Sequence, residues 1–148
     1  MYYIDTNILI YVNDNDSPFH QSASELFNDI LNQGKAIINE IVLAEFFSII
    51  SDSRKMQFPW SPSQASSYIE ILMDAVQELH FLNMEIITEA FRSAEIYDIK
   101  RYNIFDHLIA HSMKFYGTSK IVTLNKNDFK KYDFITEIIS PQQKKEMP

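Results

Sequence analysis

Hydrophobic and polar positions along this chain form short apolar stretches separated by longer stretches with helical spacing. The short apolar stretches predict strands at residues 2–5, 35–38, 81–82, 120–124 and 134–139. Apolar residues three and four apart predict helices at residues 19–33, 40–51, 62–79, 85–98 and 104–116. Residues 7–12 are short and apolar throughout, so their spacing does not separate a helix from a strand.

Helix boundaries are marked by residues with known preferences for helix ends. Gly34 and Gly117 follow predicted helices, and Ser61 followed by Pro62 is typical of a helix start. The segment 52–62 carries two prolines, and we expect it to be a mobile loop. Strands that alternate with helices predict a single α/β domain with a mostly parallel sheet over residues 1–140, followed by a frayed tail at 141–148.

Composition excludes several classes of protein. The chain has 148 residues and no cysteine, so thiol catalysis, thiolate zinc sites and a disulfide framework are excluded. Its only glycines, Gly34 and Gly117, cannot build a Gly-rich phosphate loop. The net charge of −7 argues against a non-specific coat on nucleic acid. No apolar run reaches membrane-spanning length and no signal segment is visible, so we expect a cytoplasmic protein.

Four acidic residues stand where acids are less common. Asp5 and Asp128 follow predicted strands, Glu45 is the only charged residue between residues 41 and 50, and Asp106 lies near the start of a helix. Each has an ordinary explanation when taken alone. Asp5 could cap a helix, Glu45 could form a salt bridge at a helix edge, and Asp128 could stabilise a turn. Asp106 could be a third-position acid in a helix capped by Asn103.

Taken together, the four acids predict one site. The carboxyl ends of neighbouring parallel strands meet at one edge of a sheet, where ligands of α/β proteins bind. Carboxylates that converge repel one another and therefore need a cation. A carboxylate site without cysteine suits Mg²⁺ or Mn²⁺, which support phosphoryl chemistry.

The chain resembles PIN-domain ribonucleases, and among them the VapC-type toxins of toxin–antitoxin pairs. Four motifs carry the resemblance, and their order and spacing fit across residues 2–139. They are Tyr3-Ile4-Asp5-Thr6-Asn7, Asn39-Glu40-Ile41-Val42-Leu43-Ala44-Glu45-Phe46, Asn103-Ile104-Phe105-Asp106-His107-Leu108-Ile109-Ala110 and Thr123-Leu124-Asn125-Lys126-Asn127-Asp128-Phe129.

The resemblance implies a three-layer fold with a central, mostly parallel sheet of four to five strands flanked by helices. It implies an endoribonuclease that uses Mg²⁺ or Mn²⁺ and a metal-activated water. It also implies an RNA substrate, a homodimer and a small antitoxin protein as partner. The acidic quartet would be Asp5, Glu45, Asp106 and Asp128, of which Asp128 varies most in the family. The supporting polar residues would be Thr6, Thr123 and Asn125.

Other interpretations remain open at this stage. A degenerate PIN domain that only binds, or a housekeeping RNA-processing nuclease, would share these motifs. His107 and His111 are four residues apart but lack the glutamate of a zinc-protease helix, and we expect one of them at the site edge and the other in packing or at the surface. Lys126 and Lys130 flank Asp128 and are candidates for phosphate contacts. Trp60 and Tyr68 are candidates for a partner-binding groove.

Overall fold

The computed structural model describes residues 1–142 and contains one parallel sheet of five strands flanked by helices. The sheet order is β3-β2-β1-β4-β5, and every neighbouring pair is parallel. This confirms the predicted α/β class. The strands are β1 Tyr2–Ile4, β2 Ala36–Asn39, β3 Glu78–His80, β4 Lys120–Val122 and β5 Glu137–Ile139.

The helices pack in two groups. One group contains α1 to α4, and in the other α5 and α7 pack against α6. Among the described residues no helix is long and apolar enough to cross a membrane. The helices are α1 Thr6–Asn13, α2 His20–Asn32, α3 Glu40–Ile50, α4 Pro62–Ala75, α5 Met84–Ser93, α6 Asn103–Tyr116 and α7 Lys126–Phe129.

Two predicted helix ends and two predicted strand positions are wrong, because sheet pairing and backbone turns override local spacing. The strand predicted at 134–139 covers only Glu137–Ile139. The helix predicted to reach residue 79 ends at Ala75, and the next strand is residues 78–80 rather than 81–82. Val76 is extended, and the Gln77 amide donates to the Ala36 carbonyl, 3.0 Å, so the chain here already joins β2. The helix predicted to reach residue 98 ends at Ser93, and the following turns place Asp98 and Arg101 at φ 49° and 56°.

Local capping signals are well matched by the structure. The Ser61 hydroxyl accepts from the Gln64 backbone amide, and the Gln64 side-chain oxygen accepts from the Ser61 backbone amide, which confirms the predicted start of α4. Gly117 ends α6 with φ 71°, a left-handed conformation that glycine adopts without strain. The ambiguous residues 7–12 lie within the helix α1, which begins directly after β1.

The core is centred on β1 and β4. Tyr3, Ile4, Ile121 and Val122 are completely buried, as expected for the middle strands of a sheet covered on both faces.

Trp60 and Tyr68, the candidates for a partner groove, are half-buried and pack on the buried Phe46, with ring centroids 5.9 Å and 5.2 Å away. Trp60 thereby anchors the end of the 52–62 loop to α3, and Tyr68 anchors α4 to α3. Pro141 is buried, and residues 143–148 of the predicted frayed tail lie outside the described residues.

Candidate active site

The candidate site lies where the chain reverses its direction across the sheet. From the central strand β1 the chain proceeds outwards to β2 and β3, and then returns to the other side of β1 as β4 and β5. Ligands of open α/β sheets bind at such a switch point, outside the carboxyl ends of the strands. Asp5 follows β1 and Thr123 follows β4, so both residues stand at this position.

The carboxylate of Asp5 accepts three hydrogen bonds. Its Oδ1 accepts from the Thr6 amide, 2.7 Å, and its Oδ2 accepts from the Asn7 side chain, 2.7 Å, and from the Thr123 hydroxyl, 2.6 Å. The residue is 3% exposed and is also the N-cap of α1. Its interpretation as a helix cap and its place in the site are therefore compatible, because the same bonds that begin the helix fix the orientation of the carboxylate.

Glu45 reaches the same place from α3. It is half-buried, and its Oε2 accepts from the Thr6 hydroxyl, 2.7 Å. None of the ion pairs among residues 1–142 includes Glu45, so the salt-bridge interpretation is wrong. Thr6 therefore links the two acids: its amide binds Asp5 and its hydroxyl binds Glu45.

Asp106 and Asp128 complete the wall of one cavity. Asp106 lies in the first turn of α6, and Asp128 lies in the short helix α7 after β4. Tyr102 precedes α6 without a side-chain cap and Asn103 is the first helical residue, so the interpretation of Asn103 as N-cap is wrong. The cavity has a volume of about 210 Å³ and is lined by Asp5, Thr6, Asn7, Glu45, Ile49, Tyr102, Asn103, Asp106, Asn125 and Asp128.

The electrostatics of the cavity favour protonated acids or a bound cation. Burial raises the pKa of Asp5 to about 6, although the hydrogen bonds from Thr123 and Thr6 oppose the shift. Burial also raises the pKa of Asp106 to about 7, and the charges of Asp5, Asp128 and Glu45 add to this effect. The three other acids thus disfavour the ionised form of Asp106.

The donors of this cavity fit a hard divalent cation in their chemistry. They are carboxylate, amide and hydroxyl oxygens, which Mg²⁺ and Mn²⁺ prefer. Within residues 1–142, no three acidic or histidine side chains are close enough to form a complete metal centre as they stand. A cation would therefore have to draw carboxylates inwards from the cavity wall, and it would relieve the repulsion that raises the pKa of Asp106.

The raised pKa of Asp106 predicts a pH-dependent effect of Asp106→Asn on the metal-free protein. Because folding raises this pKa from 3.8 to about 7, the ionised carboxylate destabilises the folded state, and this penalty grows as pH rises from about 4 to 7. We expect Asp106→Asn to raise the melting temperature by several degrees at pH 8 and much less at pH 5. Thermal unfolding in EDTA at both pH values measures this difference.

Comparison with the wild type at each pH cancels the contributions of groups that do not interact with Asp106. The acids around the cavity are coupled to Asp106, and their response forms part of the measured difference. Asp29→Asn replaces an exposed acid on α2 and is the matched control, for which we expect no change at either pH. A stabilisation by Asp106→Asn that is the same at pH 5 and pH 8 would contradict the electrostatic explanation.

Several residues around the cavity were not assigned a role from the sequence. Asn7 donates to Asp5 and to Thr123, 3.2 Å, and accepts from the Leu124 amide, 3.1 Å, so it joins the ends of β1 and β4. Asn7 belongs to the first of the four motifs that carry the family resemblance, and that motif could have identified it as a site residue. Tyr102 also lines the cavity, and no spacing pattern in the sequence marks it. Asn103, which the sequence marked only as a possible helix cap, lines the cavity as well.

The predicted supporting and basic residues take different positions. Thr123 is buried behind Asp5 and holds it, whereas Asn125 lines the cavity itself. Lys126 and Lys130 are exposed on and beside α7 and do not line the cavity wall.

Neither His107 nor His111 lies at the site edge, so that expectation is wrong. Both are buried, and the nitrogen Nε2 of each is within hydrogen-bond distance of Ser93 Oγ, at 3.0 Å and 2.8 Å. His107 Nδ1 is also 2.7 Å from the Tyr132 hydroxyl. Burial lowers the pKa of His111 to about 4, which keeps it neutral near pH 7. The two histidines therefore join α5 to α6 beneath the site.

The five-stranded parallel sheet and the acid-lined cavity at its switch point make this chain an α/β domain with a candidate cation site. The family model described as PIN domain matches residues 2–135, and the chain belongs to this family.

Relatives and solved structures agree with this assignment. The chain is 24% identical to Ribonuclease VapC24 of Mycobacterium tuberculosis over 131 residues, which are 88% of this chain and 90% of that protein. VapBC2 from Rickettsia felis, bound to a DNA fragment from its promoter, has a similar structure with a TM-score of 0.67 at 22% identity, covering 95% and 98% of the two chains. VapC20 of Mycobacterium tuberculosis, a sarcin–ricin loop cleaving toxin, gives a TM-score of 0.65 at 14% identity, covering 82% and 87%.

Proposed function

We propose that this protein is a metal-dependent endoribonuclease and the toxin of a toxin–antitoxin pair. The observation that carries the proposal is the convergence of Asp5, Glu45, Asp106 and Asp128 on one cavity of a PIN domain. Its relatives support the same activity, since one is named a ribonuclease and another is described as a toxin that cleaves the sarcin–ricin loop.

The four acids would hold Mg²⁺ or Mn²⁺. When bound, such an ion activates water and neutralises charge on a phosphodiester. Asp5 is the acid best suited to fix its position, because Thr6, Asn7 and Thr123 orient its carboxylate. Thr6 also orients Glu45, so one residue sets the relative position of two acids.

Asn103 and Asn125 line the same cavity and present amide groups that can donate to the phosphate or to the attacking water. We propose that the attacking group is water and that no covalent intermediate forms on the protein. The Thr6 hydroxyl, which also lines the cavity, serves to orient Glu45.

Charge complementarity to RNA comes from a cation and from nearby lysines. The chain carries a net charge of −7, which by itself repels a polyanion. Lys126 and Lys130 are exposed next to Asp128, and we propose that they contact phosphates flanking the cleaved bond. Lys131 acts on the cavity electrostatically, because its charge lowers the pKa of Asp106 against the larger effect of burial.

The proposed partners are a small antitoxin protein and a second copy of this chain. VapBC toxin–antitoxin complexes are among the solved structures that share the fold, and this supports the antitoxin. A basic side chain of the inhibitor could pair with the carboxylates of the cavity and displace the cation. We propose that the protein acts in the cytoplasm, where RNA and the antitoxin would be available.

Expression of this chain alone should arrest growth if it is an uninhibited ribonuclease. We expect Asp5→Asn and Asp106→Asn to be expressed without harm, and co-expression of the proposed antitoxin, to be sought among the genes adjacent to this one, to rescue the wild type. Growth curves after induction, with RNA integrity followed by sequencing of cleaved ends, measure the effect. Asp29→Asn, on the exposed face of α2, is the control and should remain toxic.

The outcomes separate the toxin from other functions. Unimpaired growth with abundant protein that cleaves RNA after purification would remove the toxin role and leave a processing nuclease. Unimpaired growth without cleavage of any RNA in Mn²⁺ would contradict the nuclease and favour a binding scaffold.

A further inference from the structure

A second cavity adjoins the acidic one and is apolar. It has a volume of about 600 Å³, within the usual range of ligand sites, and Ile41, Ile49 and Phe105 are among its walls. Three residues line both cavities: Glu45, Ile49 and Tyr102. An extended ligand that binds at the carboxylates can therefore reach the second cavity.

Two aromatic side chains of this second cavity are exposed. Tyr102 is 69% exposed and Phe105 is 43% exposed, although both stand beside the start of α6, next to Asp106. Exposed aromatic rings next to a reaction site point to a flat, partly apolar group as their occupant.

Charges of both signs lie near these rings. Glu40 and Glu45 line the cavity on one hand and Lys55 on the other, and the Arg101 guanidinium carbon lies 5.6 Å from the centre of the Tyr102 ring. Apolar faces with nearby cations suit a ligand that alternates flat bases with phosphates. Single-stranded RNA is such a ligand, since its unstacked bases stack on aromatic rings and on Arg planes.

We propose that this cavity, formed by Tyr102, Phe105, Ile41, Ile49 and Lys55, binds one unstacked base of single-stranded RNA next to the bond that is cleaved. The proposal rests on the proposed ribonuclease function for the position of the cleaved bond. It makes Tyr102 and Phe105 the residues that determine which base is accepted beside the cut. In a duplex the base would remain stacked and could not enter.

Cleavage of a random-sequence single-stranded RNA library tests the proposal. Sequencing of the cleaved ends should show a base preference at one position flanking the cut. We expect Tyr102→Ala and Phe105→Ala to abolish the preference at that position only and to reduce kcat/KM roughly 5-fold to 100-fold, the range of one lost base-stacking contact. Phe105→Trp should retain cleavage. Phe91→Ala, which removes a ring that is 60% exposed on α5, is the control and should leave the preference and the rate unchanged.

An abasic substitution on the RNA supplies the reciprocal measurement. Removing the base at the preferred position should slow the wild type by the same factor as Phe105→Ala, and the two changes together should not add. Additive effects would overturn the proposal. It would also be overturned if the wild type cleaves RNA and both Tyr102→Ala and Phe105→Ala keep its base preference and rate, as the Phe91→Ala control should. A change of oligomeric state in Tyr102→Ala, with the base preference retained, would show that another copy or a protein partner covers this face, and would also overturn it.

Binding measurements keep this test separate from the proposed function. If the wild type cleaves no RNA, the ribonuclease proposal fails, and binding of eight-nucleotide single-stranded RNAs containing one 2-aminopurine decides the cavity. Fluorescence quenching that is lost in Phe105→Ala and retained in Phe91→Ala supports the base site. Equal quenching in both variants overturns it.

Discussion

Glu45→Gln should lower the rate of RNA cleavage by several orders of magnitude while leaving the fold intact. Glutamine keeps the shape of the side chain, and its Oε1 can still accept from the Thr6 hydroxyl, which is 2.7 Å from the carboxylate. What it removes is one of the four negative charges around the cavity. Because carboxylate repulsion is relieved, the free energy of unfolding of the metal-free protein should stay the same or increase.

Measuring both properties on one variant separates a functional acid from a structural one. Cleavage is measured as single-turnover rates with Mn²⁺, and stability by urea unfolding in EDTA. Glu70→Gln, at an exposed position of α4, is the matched control and should change neither. Lower stability with full cleavage in Glu45→Gln would show that Glu45 only supports packing.

Removal of divalent cations should abolish cleavage altogether. The reason for this prediction is that four acids line one cavity of about 210 Å³, in which the pKa of Asp106 is raised to about 7. We expect no cleavage in EDTA and recovery on addition of Mg²⁺ or Mn²⁺. Because the ion would bind the folded state, the melting temperature should rise with the ion concentration. At an ion concentration one hundred times Kd, the free energy of unfolding should increase by about 2.7 kcal/mol.

The same titration on a variant assigns the ion to this cavity. Asp106→Asn should lose most of the metal-dependent rise in melting temperature, whereas Asp29→Asn should keep it. Full ribonuclease activity of the pure protein in EDTA would rule out the metal-dependent mechanism. A rise that is unchanged in Asp106→Asn would place the binding site elsewhere on the chain.

The α/β class followed from the sequence because hydrophobic spacing is a local property. Alternating apolar stretches and helical spacings reflect which side of each element is buried, and this pattern survives without knowledge of the partners. Capping residues are equally local, and Ser61 with Gln64 begins α4 as predicted. The boundaries that failed depended on distant contacts, as at Gln77, whose amide bonds to Ala36 in a neighbouring strand.

The sequence also determined which acids to consider, since Asp5, Glu45, Asp106 and Asp128 occur in four motifs in the order of the PIN family. It could not determine their neighbours. Asn7, Tyr102 and the pairing of Thr6 with Glu45 became visible only when β1, α3 and α6 were brought together. His107 and His111 show what residue spacing cannot reveal. Their spacing of four residues was compatible with a place at the site edge, whereas their burial beside Ser93 depends on the packing of α5 against α6.

What the sequence determined by itself is the set of elements and the chemistry available to them, because secondary-structure preference and side-chain type belong to each residue and its near neighbours. What only the tertiary structure decided is proximity. The strand order places β4 beside β1, although Asp5 and Thr123 are far apart along the chain, and their hydroxyl–carboxylate contact of 2.6 Å depends on that order. The raised pKa of Asp106 has the same origin, since burial and the charges of acids from three other elements act through space and not along the sequence.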